Sequence, residues 1–413
     1  PGWTRWIAAN AVTVVLFAPW MGVMLQRLGV DASYWQGDLH VYEAMRGVAQ
    51  RFVTGESMRE AIAAPLAFAL LLATLLMLIF VWRGDRTLRP VIRFALCWLI
   101  IPVVATIALA ATAPKFNPRY VYLALGGLVL LWGVTLDYMT RARGAGKRGL
   151  AARLGALAAV ALLLAPMLWA NGNWYWNGDF NKAQWRELTD YLRPRLAPEE
   201  RVILVSGHAF PVWKYYAPDI PVVRLPDIDV LDVEEVLTFA DTAEPLRSAL
   251  DEHGGAWVVG WQDEVVDPNL IVLTQLELGG REKGLTATFN QLSLDRFSQI
   301  NLGRISDSPP ITEAVNATFG GNVTLEGYRA LDNGDLLLFW SLPQATSADY
   351  QVAIEVLDVD GKLRRRINDR RLAGYTYPTF RWQPGASNMA RIPAIEWLGF
   401  THADFEQGSA APE

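Results

Sequence analysis

The sequence predicts a multi-pass α-helical membrane domain followed by an extracytoplasmic α/β domain and a jelly-roll-like β-sandwich. Three observations predict it. Long apolar runs are confined to the first 170 residues, short strands alternate with helices from Asn171, and hairpin-linked strands take over near residue 290. The corresponding domains are 1–170, 171–290 and 291–400, with 401–413 as a disordered tail.

The five apolar runs are 6–26, 62–82, 94–112, 119–137 and 150–170, and each is about long enough to cross a bilayer as a helix. Composition agrees: 52% of the 413 residues are hydrophobic and only 19% charged, too apolar for an ordinary soluble protein and too polar for a chain that is membrane throughout. Arg83, Arg86, Arg89 and Arg93 follow the second run, and Arg141, Arg143, Lys147 and Arg148 follow the fourth. Both basic loops follow an even-numbered span, so both face the cytoplasm in one topology, with everything after residue 170 outside. The loop 28–61 is then extracytoplasmic. Within it Tyr42, Met45, Val48, Ala49 and Phe52 recur at helical spacing opposite Glu43, Arg46, Gln50 and Arg51. This amphipathic helix reads equally as lying on the outer leaflet or as packing against its neighbours.

The soluble half opens with a helix whose face is Phe180, Trp185, Leu188 and Leu192, ending near Pro194. Strands follow at 201–207, 221–225 and 256–261, with helices at 243–255 and 267–280. Further strands at 322–328, 335–341, 350–358 and 362–368 are separated by the hairpin turns Asn333-Gly334 and Asp360-Gly361.

Several function classes are disfavoured. The net charge of −5 argues against nucleic acid as a partner, and the single cysteine, Cys97, provides neither a disulfide framework nor a thiolate metal site. His40, His208, His253 and His402 are scattered, and His40 with Glu43 gives only two ligands, so no metal site is expected. The acidic run Asp227, Asp229, Asp232, Glu234 and Glu235 reads as a solvated loop rather than a calcium site, and Asp358 with Asp360 as hairpin chemistry. Seventeen tryptophans suit interfacial belts or sugar-facing surfaces.

Two groups of residues are candidates for binding. His208, just past one strand, and Trp261 and Asp263, just past another, stand where open α/β sheets gather ligands. They form a candidate pocket for a sugar or a partner, or a turn with a satisfied histidine. Lys115, Arg119 and Tyr120 stand at the outer start of the fourth run, beside Pro114 and Pro118. Their basic groups either snorkel to headgroups or grip a specific lipid phosphate, which suits the forked donors of arginine.

The motif order carries a family resemblance over nearly the whole chain. "KFNPRYVYLALGGLVLLWGV" (115–134) resembles the late transmembrane segment of polyprenyl-phosphate-dependent membrane glycosyltransferases of the GT-C superfamily, the mannosyltransferase and aminoarabinose-transferase relatives. "APWMGVMLQRL" (18–28) and "YWQGDL" (34–39) resemble the same enzymes. "VILVSGHAFPVWKYYAPDIPVVRLPD" (202–227) and "WQDEVVDPN" (261–269) resemble the extracytoplasmic region of bacterial members, and "FGGNVTLEGY" with "TYPTFRWQPG" an appended β-sandwich. The resemblance implies a multi-pass enzyme of the bacterial cell membrane. It would transfer a sugar from a polyprenyl-phosphate donor to an extracytoplasmic glycan, lipid or protein, with no cofactor beyond that donor. It also implies that Lys115, Arg119 and Tyr120 meet the donor phosphate. The family's catalytic carboxylate lies in an early extracytoplasmic loop, and the chain opens on proline without a signal peptide. The expectation is therefore that this is the C-terminal part of a longer enzyme, with Asp31, Asp38 and Glu43 unassigned as base. The alternative is a non-catalytic, membrane-anchored carbohydrate-binding or envelope protein. A transporter is disfavoured because the spans hold few internal charges.

Overall fold

In the computed structural model the chain divides into two compact units, Tyr34–Lys182, and Ala183–Glu413 taken with Pro1–Ser33. Residues 2–30, 40–112, 116–141, 147–282, 285, 287–374 and 376–397 are described. Asp31, Asp38, Lys115, His402 and the tail 401–413 lie outside them. Five helical segments among the described residues are long and apolar enough to cross a membrane.

Helix α1 (Gly2–Val30) exposes its side chains as far as Val23, including Trp3, Trp6 and Trp20. The unit Tyr34–Lys182 contains α2 (Val41–Thr54), α3 (Glu60–Gly84), α4 (Arg89–Thr112), α5 (Leu125–Arg141) and α6 (Lys147–Trp176). The helices overrun the apolar runs. α4 begins five residues before its run, so Arg89 and Arg93 sit in its first turns, both over the ring of Trp82 at 5.4 Å. The fourth run does not begin as an α-helix. Pro118–Ala124 forms a 3₁₀ segment whose first backbone donor, Arg119 N–H, is satisfied by Asn117 Oδ1 at 3.0 Å.

Helices α4 and α5 meet through Gly127. A Cβ there would come within 2.7 Å of Ala95 O and Leu99 N, so a side chain would push the two backbones apart. Between α3 and α5, Trp132 Nε1 donates to Thr74 Oγ1 at 2.9 Å in a buried setting. The helical core gathers Val48, Phe52, Leu70, Val121, Leu128, Trp132 and Leu163. Helix α2 contributes to it, which divides the apolar stripe seen in the sequence: Val48 and Phe52 are buried, while Tyr42 and Met45 are exposed.

The second unit begins with α7 (Trp185–Leu192), β1 (Glu200–Val205), α8 (Phe210–Tyr216), β2 (Val222–Leu225), α9 (Phe239–Leu250), β3 (Gly255–Gly260), α10 (Asp263–Val266), α11 (Ile271–Gly279), β4 (Arg281–Glu282) and β5 (Ser293–Ser298). Phe180 precedes α7 in a separate 3₁₀ turn and does not join its face. Helix α9 starts earlier than the expected 243, because Thr238 and Asp241 close a reciprocal capping box.

The sheet order is β2-β1-β3-β5-β4. β1 runs parallel to β2 and β3, and β5 runs antiparallel to β3. Residues 293–298 thus belong to this sheet, which moves the expected boundary at 290 to beyond Ser298: "SLDRFS" supplies the backbone partners that β3 needs on its second edge. Alternation fills both faces. Ile203, Val205 and Val258 pack with Leu246 of α9 and Leu276 of α11, while Val202, Leu204 and Trp257 pack with Leu188 of α7 and Trp213 of α8.

Strands β6 (Glu313–Phe319), β7 (Val323–Ala330), β8 (Leu336–Ser341) and β11 (Asn388–Ile392) form a four-stranded antiparallel sheet in the order β11-β8-β7-β6. The hairpin β9 (Gln351–Leu357) and β10 (Leu363–Arg371) forms its own two-stranded sheet. Val352, Ile354 and Ile367 of the hairpin pack on Leu338, Trp340 and Trp382, giving a two-layer β arrangement.

One polar cluster stands inside the first sheet. Glu200, 8% exposed, accepts from Trp257 Nε1 at 2.8 Å and Ala197 N at 3.1 Å, and pairs with Arg296 at 2.7 Å. Burial acts to raise its pKa, yet these donors hold the carboxyl below the usual range. Removing the carboxylate strands the Trp257 and Arg296 donors. Glu200→Ala should therefore destabilise the fold by about 3 kcal/mol and lower the thermal midpoint by roughly 6–12 °C. Differential scanning fluorimetry reads this, and an unchanged midpoint would contradict it.

Candidate functional site

The first candidate site lies in the unit Tyr34–Lys182, where α2 ends and the 3₁₀ segment begins. Gly55, with φ of 68°, stops α2 and turns the chain into the loop carrying Glu56. The Glu56 carboxylate receives two guanidinium groups. Arg119 donates from Nε at 3.2 Å and Nη2 at 2.9 Å, one bond to each oxygen, and Arg51 donates from Nε at 3.0 Å. The Arg119 hydrogen bonds lower the Glu56 pKa most, with Arg51 adding to the effect and burial opposing it. Beside this trio is a cleft of about 340 Å³ lined by Arg46, Gln50, Arg51, Glu56 and Glu60 among others. Arg46 pairs with Glu60 across it.

Of the residues expected here, Arg119 and Tyr120 are described. Tyr120 is half exposed, and Tyr122 lies near Phe52 with ring centroids 6.4 Å apart. Glu56 and Arg51 were not expected. Glu56 is invisible to a motif reading because it is 63 residues from Arg119 in sequence. The arrangement presents two forked cations converged on one oxyanion, at the end of a segment long and apolar enough to span a membrane.

The second candidate site lies at the carboxyl ends of β1 and β3. Each strand ends in a non-glycine residue with a left-handed backbone, Ser206 (φ 75°) after β1 and Gln262 (φ 55°) after β3. These turns bring His208 and Trp261 into contact, their rings stacked at 5.3 Å and 22°, with Trp185 edge-on to Trp261 at 5.8 Å. His208 Nδ1 is 2.7 Å from Ser206 Oγ and Nε2 is 3.2 Å from Gln262 Oε1. With the Gln262 amide oxygen facing the ring, Nε2 carries the proton and donates, and Nδ1 accepts from the Ser206 hydroxyl. Ser206 is fully buried, so this serine–histidine pair orients a ring rather than presenting a nucleophile.

Asp263 is brought near the strand end but not into the ring stack. It is turned toward Gly260, where an added Cβ would lie 2.7 Å from its Oδ1. Burial raises its pKa. Two further carboxyls, buried Asp267 and half-buried Asp295, were missed in the sequence. Asp267 caps α11 by accepting from Ile271 N at 2.7 Å and Val272 N at 3.0 Å, and burial pushes it up to about 7. Asp295 on β5 is pushed up to about 6, by burial first and then by Glu282 and Asp263. The Asp-Pro pair before an apolar run was the sequence signal for the first. Nothing local marks the second. Among the described residues, no group of three metal-ligating side chains forms.

No family model, curated protein or solved structure matches the chain.

Burial lowers the His208 pKa below its ordinary 6.5, against the opposing pull of Gln262. A depressed folded-state value means the unfolded chain binds the proton more readily. The stability His208 contributes is present above about pH 6.5 and is lost as the pH falls through the folded value. The His208 ring resonance should titrate below 6.5, and Trp261→Ala, by uncovering the ring, should move the midpoint upward. A wild-type midpoint at or above 6.5 would refute the burial account.

Proposed function

We propose that the chain belongs to an integral-membrane glycosyltransferase that takes a sugar from a polyprenyl-phosphate donor and passes it to an extracytoplasmic glycan, lipid or protein acceptor. Five segments with the length and apolarity of spans, and two arginine-rich loops that agree on orientation, support a cell-membrane setting with the domains after residue 182 outside. The observation that carries the functional reading is the Arg51–Glu56–Arg119 trio. Its two arginines converge on one oxyanion at the end of an apolar segment, the depth at which a lipid phosphate lies. In this reading Glu56 holds the guanidiniums in the geometry a phosphate requires, and the donor phosphate displaces it. The exchange keeps the two cations paired with an oxyanion, since the donor's phosphodiester carries one negative charge like the carboxylate it replaces. The acceptor still needs a carboxylate to take its proton, and Glu56, held ionised below the usual range, is a poor base for that step.

The test is the affinity for polyprenyl phosphate in detergent. Arg119→Ala should weaken binding by about ten- to a hundredfold, the loss of charge-assisted bonds of roughly 1.5–3 kcal/mol. Arg119→Lys should restore it only partly, because an ammonium lacks the fork. Glu56→Gln should strengthen binding, since the phosphate then meets no competing carboxylate. If the trio only ties α2 to the 3₁₀ segment, Arg119→Ala will bind polyprenyl phosphate like the wild type, and the reading fails.

A further inference from the structure

The second unit carries a cleft of about 570 Å³ in which neither α/β nor β layer is complete alone. It is lined from the α/β side by Pro268, Asn269 and Leu270, and from the β side by strands β9, β10 and β11. Among the described residues its charged lining is Arg370, Arg371 and Arg391. Among the described residues, Glu396 pairs with Arg370, Asp349 with Arg371, and Glu277 and Asp335 with Arg391, and none of these four carboxylates is in the lining. They fix the guanidiniums in place without filling the cleft.

Two backbone features build this site. The pairing of β10 with β9 shifts register between Ile367 and Arg370, so β10 carries an extra residue there. Such a bulge bends a strand and re-aims its side chains. Both Arg370 and Arg371 border the cleft, which consecutive side chains of a flat strand, pointing to opposite faces, seldom do. On the floor, Gly374 lies so close to Pro268 O that no Cβ fits between them. This glycine lets the segment after β10 lie directly against the Pro268–Leu270 turn. Leu270 itself has a left-handed backbone (φ 54°), and buried Asn269, whose Oδ1 has no hydrogen-bond partner, stands in the wall. The remaining lining is the polar Gln351 and the apolar Leu270, Ala373, Met389 and Ala390. A pocket that combines apolar side chains with three arginines suits a compact molecule that carries an oxyanion.

We propose that this cleft binds a sugar-sized ligand bearing a carboxylate or phosphate, its oxyanion held by Arg370, Arg371 and Arg391. The site is separate from the lipid-phosphate trio and stands whether or not the chain transfers sugars.

The test uses the whole chain in detergent, titrated with glucose 6-phosphate, glucuronate and neutral glucose while the Met389 methyl resonance is followed by NMR. The two anions should shift Met389 and leave Met139, in the helical unit, unmoved. Glucose should shift neither. The stronger of the two anions identifies the oxyanion. Binding should weaken as salt is raised. Arg371→Ala should weaken it by about tenfold or more, with Arg371→Lys intermediate. Arg371 is the variant of choice because its ion pair with Asp349, at 3.3 Å, is longer than those of Arg370 and Arg391. Should Arg371→Ala not fold, the wild-type titration decides alone. A Met389 resonance unmoved by either anion, or moved equally by glucose, would overturn the proposal.

Discussion

A bilayer accepts only backbone whose polar groups are satisfied within the segment itself. That constraint organises the first 182 residues. Helices α3 to α6 are long enough for each to carry its own hydrogen bonds across an apolar layer, and α6, at 30 residues and so about 45 Å, exceeds the usual need. Where the helical pattern breaks, at Pro118–Ala124, a 3₁₀ segment and the Asn117 side chain take up the backbone donors. The same constraint moves charge to the ends of the apolar segments, and the Arg51–Glu56–Arg119 trio is what gathers there.

In the proposed reading the trio serves packing and recognition through one geometry. An exposed ion pair contributes little stability, about 0–1 kcal/mol, and Arg119 is largely exposed. Stability alone is thus a weak reason for joining two arginines to one glutamate. Convergence of the two forks on a single oxyanion is a stronger one, because it prepares a site whose order need not be created on binding. The basic cleft of the second unit follows the same logic with different parts. Its arginines pair with carboxylates that are not among the described lining residues.

Much of the architecture was legible because it rests on local periodicity. The apolar runs became helices, with ends displaced by a few residues. "RVILV" and "AWVVG" became the parallel pair β1 and β3, because strands buried on both faces read as continuous apolar runs. Asn333-Gly334 and Asp360-Gly361 marked real turns. What stayed hidden depended on partners far apart in the chain. β5 looked like the start of the β region and proved to be the antiparallel partner of β3. Arg119 was visible as a cation, but the carboxylate that engages it was not. His208 and Trp261 stand at adjacent strand ends as expected, and their stacking on each other, with Trp185 edge-on to Trp261, needed the fold. The basic cleft was least legible, since a β-bulge and the Gly374–Pro268 approach assemble it from three stretches that look unremarkable alone.

The central claim is that the chain crosses a membrane with its basic loops on the cytoplasmic side and its β domain outside. Single-cysteine labelling tests it most directly. Cys97→Ser removes the native thiol, and Thr87→Cys then reports the first basic loop while keeping all four arginines. Val359→Cys reports the fully exposed tip of the β9–β10 hairpin without disturbing the left-handed Gly361. In intact cells a membrane-impermeant maleimide should label Val359→Cys and reach Thr87→Cys only after the membrane is permeabilised. Labelling of both from the same side would contradict the account.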